Sequence, residues 1–164
     1  MVVQEHQSFR GTLLMYAMIL LELPTFALIC TLYFTGKLGE EGWIALLVVG
    51  SLIPLTFLLL MNLTLETRMD KYSFSYKCGP FQRSWTKLKG EEIHSIAVNK
   101  KDGFLDYGGV GIRFSGKTKA YVFFADYVIE LETSKRKLVF STNKPKEFQA
   151  MIDQWQFRNP SYHG

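Results

Sequence analysis

Two apolar runs near the start of the chain decide most of what it can fold into. Residues 12–34 read TLLMYAMILLELPTFALICTLYF and residues 43–63 read WIALLVVGSLIPLTFLLLMNL, and Glu22 is the one charge in either. As helices rising about 1.5 Å per residue, both runs are long enough to cross a hydrocarbon core. Trp43 opens the second as an interfacial anchor does. A cleaved leader is the competing reading of the first run, but its apolar stretch is too long and no small-x-small cleavage pattern precedes Lys37. Only eight residues, TGKLGEEG, join the runs, so the two helices are expected to be antiparallel neighbours.

Charge separates the chain into unlike halves. Up to Thr64 there are two cations, Arg10 and Lys37, against four carboxylates, which leaves 17 cations against 11 carboxylates beyond it. The net +4 of the chain is thus −2 in the apolar part and +6 in the remainder. Arg10 before the first run and Arg68 and Lys71 after the second outnumber Lys37 between them. The positive-inside rule then places both termini in the cytoplasm.

Glu22 lies near the middle of its run, where an ionised carboxylate is expensive and by default a candidate functional residue. Pro24 and Pro54 remove the donors that would serve the carbonyls of Leu20 and Gly50, which offers a neutral Glu22 two acceptors. One reading is a proton or ligand site between the helices. The other, and commoner, is a protonated carboxyl that glues the helices together.

Beyond Leu65 the period changes to two. In RMDKYSFSYK the aromatic residues Tyr72, Phe74 and Tyr76 alternate with polar ones, as on a strand with one buried face. Gly79 and Pro80 turn it, and FQRSWTKL, EIHSIAVNK, GVGIRF, KAYVFF, YVIELE and KLVFST follow between short turn signals. About seven strands result. A polar cap at Thr142 or Asn143, Pro145 in the first turn, and Phe148, Met151, Ile152 and Trp155 at helical spacing predict a closing amphipathic helix. The expected fold is a two-helix transmembrane hairpin over residues 1–65 and a mainly β domain over 66–164. Its antiparallel strands would form a partly open barrel, or two packed sheets, capped by the C-terminal α-helix.

That order is the pleckstrin-homology (PH)-like plan. Three stretches carry a closer likeness: LETRMDKYSFSYKCGPF, GGVGIRF and VIELETSKRKLVFSTNKPKEF. With the hairpin before them, the chain resembles bacterial membrane proteins in which two spans precede a PH-like domain. The resemblance implies a fold and a bacterial inner-membrane location. Its motifs are turn and packing signatures with no catalytic set, so it implies no substrate.

The remaining motifs are weaker than they look. Gly111 to Thr118, GIRFSGKT, matches the phosphate-loop pattern, but that loop needs a helix after it and a β-rich run follows instead. Gly108, Gly109 and Gly111 before Arg113 read first as a bulge, and second as an anion nest with Arg113 as a donor. Lys117 and Lys119, with Lys135, Arg136 and Lys137, fall mostly at predicted turns, as do Lys87, Lys89, Lys100 and Lys101. Loops at one end could gather such residues into a patch for anionic lipid; solvated turn charge is the plainer reading. The interleaved aromatic residues and lysines suit a barrel core better than nucleic acid. His6, His94 and His163 lack partners at metal-ligand spacing, Cys30 and Cys78 suggest no disulfide framework, and Asp102, Asp106 and Asp126 sit at turns. The sequon Asn62-Leu63-Thr64 abuts the second run and reads as incidental.

No catalytic residue, metal or cofactor is expected. The sequence points to a non-enzymatic binding module that its hairpin holds at the cytoplasmic membrane face, engaging lipid headgroups or a protein partner. The other reading is an accessory subunit that docks into a larger membrane assembly through its spans, with Glu22 on the docking face; the spans also allow a homo-oligomer.

Overall fold

The computed structural model describes residues 2–39, 41–101 and 108–158, the side chains of 156–158 excepted. The chain divides into two compact units, Ser8–Leu63 and Met1–Gln7 together with Thr64–Gly164. The sequence-based boundary near residue 65 therefore misses the first seven residues, which belong with the β unit.

The first unit is a helical hairpin of α1 (Leu13–Phe34) and α2 (Gly42–Asn62), close to the expected 12–34 and 43–63. By length and composition both helices can cross a membrane. Leu20, Leu21, Leu47 and Leu58 stand exposed, and no residue of α1 is buried, unlike a core helix of a soluble domain. The hydroxyls of Thr25, Thr31 and Thr56 donate back to the carbonyls of Leu21, Ala27 and Leu52, each at 2.8 Å, which hides their polarity within the helix. Where α1 begins and α2 ends, Arg10 Nε donates to the Met61 carbonyl at 3.0 Å.

The second unit contains two sheets and one helix. Strands β1 (Val3–Ser8), β2 (Thr64–Met69), β3 (Ser73–Gly79) and β4 (Gln82–Lys89) form a four-stranded sheet in that order. After a 3-10 turn at Gly90–Glu92 come β5 (Ile93–Lys100), β6 (Gly111–Ser115), β7 (Thr118–Val122), β8 (Tyr127–Thr133) and β9 (Lys137–Thr142). They form a second sheet ordered β5-β8-β9-β7-β6, and α3 (Pro145–Arg158) closes the unit.

The described residues hold nine strands, where alternation pointed to about seven. The two additions are β1 and β2, one on each side of the hairpin. β1 escaped because its inward positions are Val3, Glu5 and Gln7, so a buried strand carries no apolar alternation. Nor is every pair antiparallel. β7 runs parallel to β9, with Thr118 opposite Lys137 and Tyr121 opposite Phe140. Tyr72, read as part of a buried face, is exposed in the β2–β3 turn, where Asp70 Oδ1 accepts the amides of Tyr72 and Ser73 at 2.8 and 2.9 Å.

The sheets meet through aromatic rings. Phe74 and Tyr76 of β3 lie 5.1 and 4.7 Å, centroid to centroid, from Phe140 of β9, and Tyr121 of β7 stacks on Phe140 at 5.0 Å. Burying rings of this size contributes roughly 2 kcal/mol each by the area removed from water. α3 packs on β5 and β8 with Phe148, Met151, Ile152 and Trp155 buried, as the spacing predicts. It starts at Pro145, two residues later than a Thr142 cap allows and one later than an Asn143 cap allows; Thr142 Oγ1 instead accepts the Lys144 amide at 3.0 Å in the turn before it. Trp155 Nε1 donates to the Asp70 carbonyl at 2.8 Å, joining the helix to the β2–β3 turn.

Candidate functional site

Four of the basic residues marked in the sequence come together at one end of the second sheet. The parallel pairing of β7 with β9 sets the β6–β7 turn beside the β8–β9 turn, and the Lys137 amide donates to the Lys117 carbonyl at 3.0 Å to join them. Lys117 is exposed on the first turn and Lys135 and Arg136 on the second. The second turn is closed by the Thr133 hydroxyl donating to the Arg136 carbonyl at 2.8 Å. Lys119 lies just inside, its Nζ 5.1 Å from the Phe114 ring centre and 4.9 Å from that of Tyr121. Burial, and then the charge of Arg136, push the Lys119 ammonium below its ordinary pKa, with Cys78 pulling the other way. Lys119 and Arg136 are thus close enough to repel one another, an arrangement that an anion relieves.

Lys137 and Arg113 do not join them. Lys137 Nζ is held by Glu130 at 2.7 Å and reaches Glu132 at 3.9 Å, and Glu130 also pairs with Lys101. Arg113 is opposite Ala120, away from the turn. Its guanidinium crowds Gly109, where a Cβ would meet Nη2 at 2.8 Å and φ is +113°. The glycines at 108, 109 and 111 all have positive φ, so the local backbone requires them whatever the loop binds. The phosphate-loop match fails on its context. Gly111–Ser115 is a strand, Gly116 turns with φ +56°, and Thr118 begins the next strand.

Two aromatic residues at this end were not marked in the sequence. Phe114, next to the β6–β7 turn, is 71% exposed, and Phe81, in the β3–β4 turn, is 74% exposed. The β3–β4 turn shares this end because Tyr76 and Tyr121 are 5.3 Å apart and Cys78 lies within electrostatic range of Lys119. Tyr121 also donates its hydroxyl to Gln82 Oε1 at 3.4 Å. The one clue to Phe81 in the sequence was a bulky apolar residue directly after Gly-Pro, where a turn would expose it.

Within the hairpin, Glu22 lines a cavity of about 320 Å³ with Gly50, Pro54, Phe26 and Phe57. The grouping of Glu22 with Gly50 and Pro54 follows the sequence reading. The cavity wall is nearly all apolar, so the side chain contributes its methylenes to it.

Among the described residues no three His, Cys, Asp or Glu side chains are placed to hold a metal ion, and Cys30 and Cys78 are free thiols. Asp102, Asp106 and His163 lie outside the described residues. Compared with known proteins, the chain matches no family model, no curated protein and no solved structure.

Proposed function

We propose that this chain is a non-enzymatic, membrane-anchored binding module, its β unit taking an anionic partner at the end formed by the β6–β7 and β8–β9 turns. The observation that carries this is the convergence of Lys117, Lys119, Lys135 and Arg136, held together by the Lys137–Lys117 backbone bond. Each cation near an anionic lipid surface contributes on the order of 1 kcal/mol. The PH-like reading has support in strands followed by one closing helix, while the parallel β7–β9 pair departs from an all-antiparallel plan. A place in the bacterial inner membrane follows from the resemblance. Strands β1 and β2, which flank the hairpin, are neighbours in one sheet, which favours both flanks on one membrane face; the positive-inside rule makes that face cytoplasmic.

The test is binding of dihexanoyl-phosphatidylglycerol to the full-length protein in a zwitterionic detergent, at two salt concentrations. Binding should weaken with salt and fall about tenfold or more in Lys117→Ala/Lys135→Ala/Arg136→Ala. Equal binding by the triple variant would remove the cationic end from the proposal.

A second reading, an accessory subunit docking through its spans, draws on the apolar cavity beside Glu22. It predicts that Glu22→Leu loses a membrane protein that co-purifies with the native chain.

A further inference from the structure

The register of the first sheet identifies which end of the β unit is tied to the hairpin. Thr64, the first residue of β2, is paired with Gly79, the last residue of β3. Only Leu63 separates Thr64 from Asn62, where α2 ends. Successive Cα atoms are about 3.8 Å apart, so the chain cannot carry this end far from the end of the helix. The same end bears the β3–β4 turn with Phe81, and through the Tyr76–Tyr121 and Cys78–Lys119 proximities it also bears Phe114, Lys117, Lys135 and Arg136. The opposite end, about 20 Å away along a seven-residue β3, carries Lys71 in the β2–β3 turn and Lys89, which is opposite Ser73.

We infer that the anionic partner is the phospholipid headgroup layer of the bilayer that holds the two helices. Lys117, Lys135 and Arg136 meet the phosphates, and Phe81 and Phe114 enter the interface beside them. This rests on the reading of the β6–β7 and β8–β9 turns as an anion site, and it adds which anion and which orientation. Two observations with separate origins select the bilayer over an acidic protein. Connectivity keeps Thr64, at this end of the unit, two residues from the end of α2, and the end pairs exposed cations with two exposed phenyl rings, as membrane-interface surfaces do. Lys71 and Lys89 have charge of the same kind and an exposed ring, Tyr72, beside them, so connectivity is what separates the two ends.

The experiment is hydrogen–deuterium exchange of the full-length protein in nanodiscs of phosphatidylcholine alone and of phosphatidylcholine with about one third phosphatidylglycerol. Amides of residues 79–82, 114–117 and 134–136 should exchange about fivefold more slowly in the anionic discs, and those of 70–73 and 90–92 should not change. Lys117→Glu/Arg136→Glu should abolish the protection, and Lys71→Glu/Lys89→Glu, with the same change in net charge, should leave it intact. Phe81→Ser/Phe114→Ser should weaken it with all cations in place. Exchange that is the same in both discs, or protection at the 70–73 turn, overturns the inference. If short-chain phosphatidylglycerol still binds in micelles in that case, the anion site stands and its partner is a soluble anion or an acidic protein. If that binding is absent too, the site itself is refuted.

Discussion

Thr142 donates its hydroxyl to Glu5 at 2.6 Å, across 137 residues of chain and the whole of the hairpin. Glu5 also accepts the Asn143 amide at 2.7 Å and Gln7 Nε2 at 2.8 Å, and Gln7 in turn exchanges hydrogen bonds with Ser141. Glu5 and Gln7 are buried, so the first strand is held by polar groups whose bonds water cannot replace.

Glu5→Ala leaves the Thr142 hydroxyl, the Asn143 amide and Gln7 Nε2 short of an acceptor, and should cost about 3 kcal/mol. Thermal unfolding of the full-length protein, followed by near-UV circular dichroism, measures it. Glu5→Gln keeps one oxygen and should cost clearly less. An alanine variant as stable as the parent would mean that β1 is held by the sheet alone.

Replacing residues 9–63 by a flexible linker of about ten Gly and Ser residues, which spans some 17 Å on average, should give a soluble, cooperatively folded β unit. A fragment that begins at Thr64 lacks β1 and exposes the edge of β2, and it should melt lower and aggregate. Size-exclusion chromatography and melting curves of the two fragments decide this. Equal behaviour would make β1 dispensable.

Cys78 is fully buried, and burial pushes its thiol up to about 11, against the opposing pull of Lys119. Iodoacetamide at pH 8 should therefore leave Cys78 unmodified in the folded protein and label it once the chain is denatured. The thiol holds its proton more tightly when folded than when unfolded. Its contribution to stability is thus complete below pH 9 and is lost as pH rises toward 11. Cys78→Ala should make the alkaline side of the stability profile flatter.

Asp70 is affected in both directions. Partial burial raises its pKa, but hydrogen bonds from Tyr72 and Ser73 and the charge of Lys87 outweigh this and hold it below its ordinary value. Its share of stability is present above about pH 4 and is lost as pH falls through the lowered folded value. Asp70→Asn should cost about 1 kcal/mol at neutral pH and make the acid side of the unfolding profile less steep. A parallel shift of the whole profile would show that the side chain, and not its charge, closes the turn.

What could be read from the sequence was whatever depends on apolar period. The helices, the buried Phe74 and Tyr76, and the Phe148–Trp155 face of α3 follow from spacing alone. β1 does not, because Glu5 and Gln7 take the inward positions and their partners Ser141 and Thr142 lie at the other end of the chain. The cationic end was half legible. Lys117 and Lys135 are marked by their turns, but that the two turns touch depends on the parallel β7–β9 pair, which no local pattern encodes. The same pairing does not reveal that Glu130 neutralises Lys137.

Because the hairpin is inserted between β1 and β2, the order of synthesis constrains the order of folding. The first strand leaves the ribosome long before its neighbour exists, and it must wait, with Glu5 and Gln7 solvated, while both helices are made. With the helices across a bilayer, β1 and β2 can meet only after both have crossed. A chain whose second helix stalls would strand them on opposite faces, and the β unit could not close. Closure of the first sheet thus requires that both helices have already been placed.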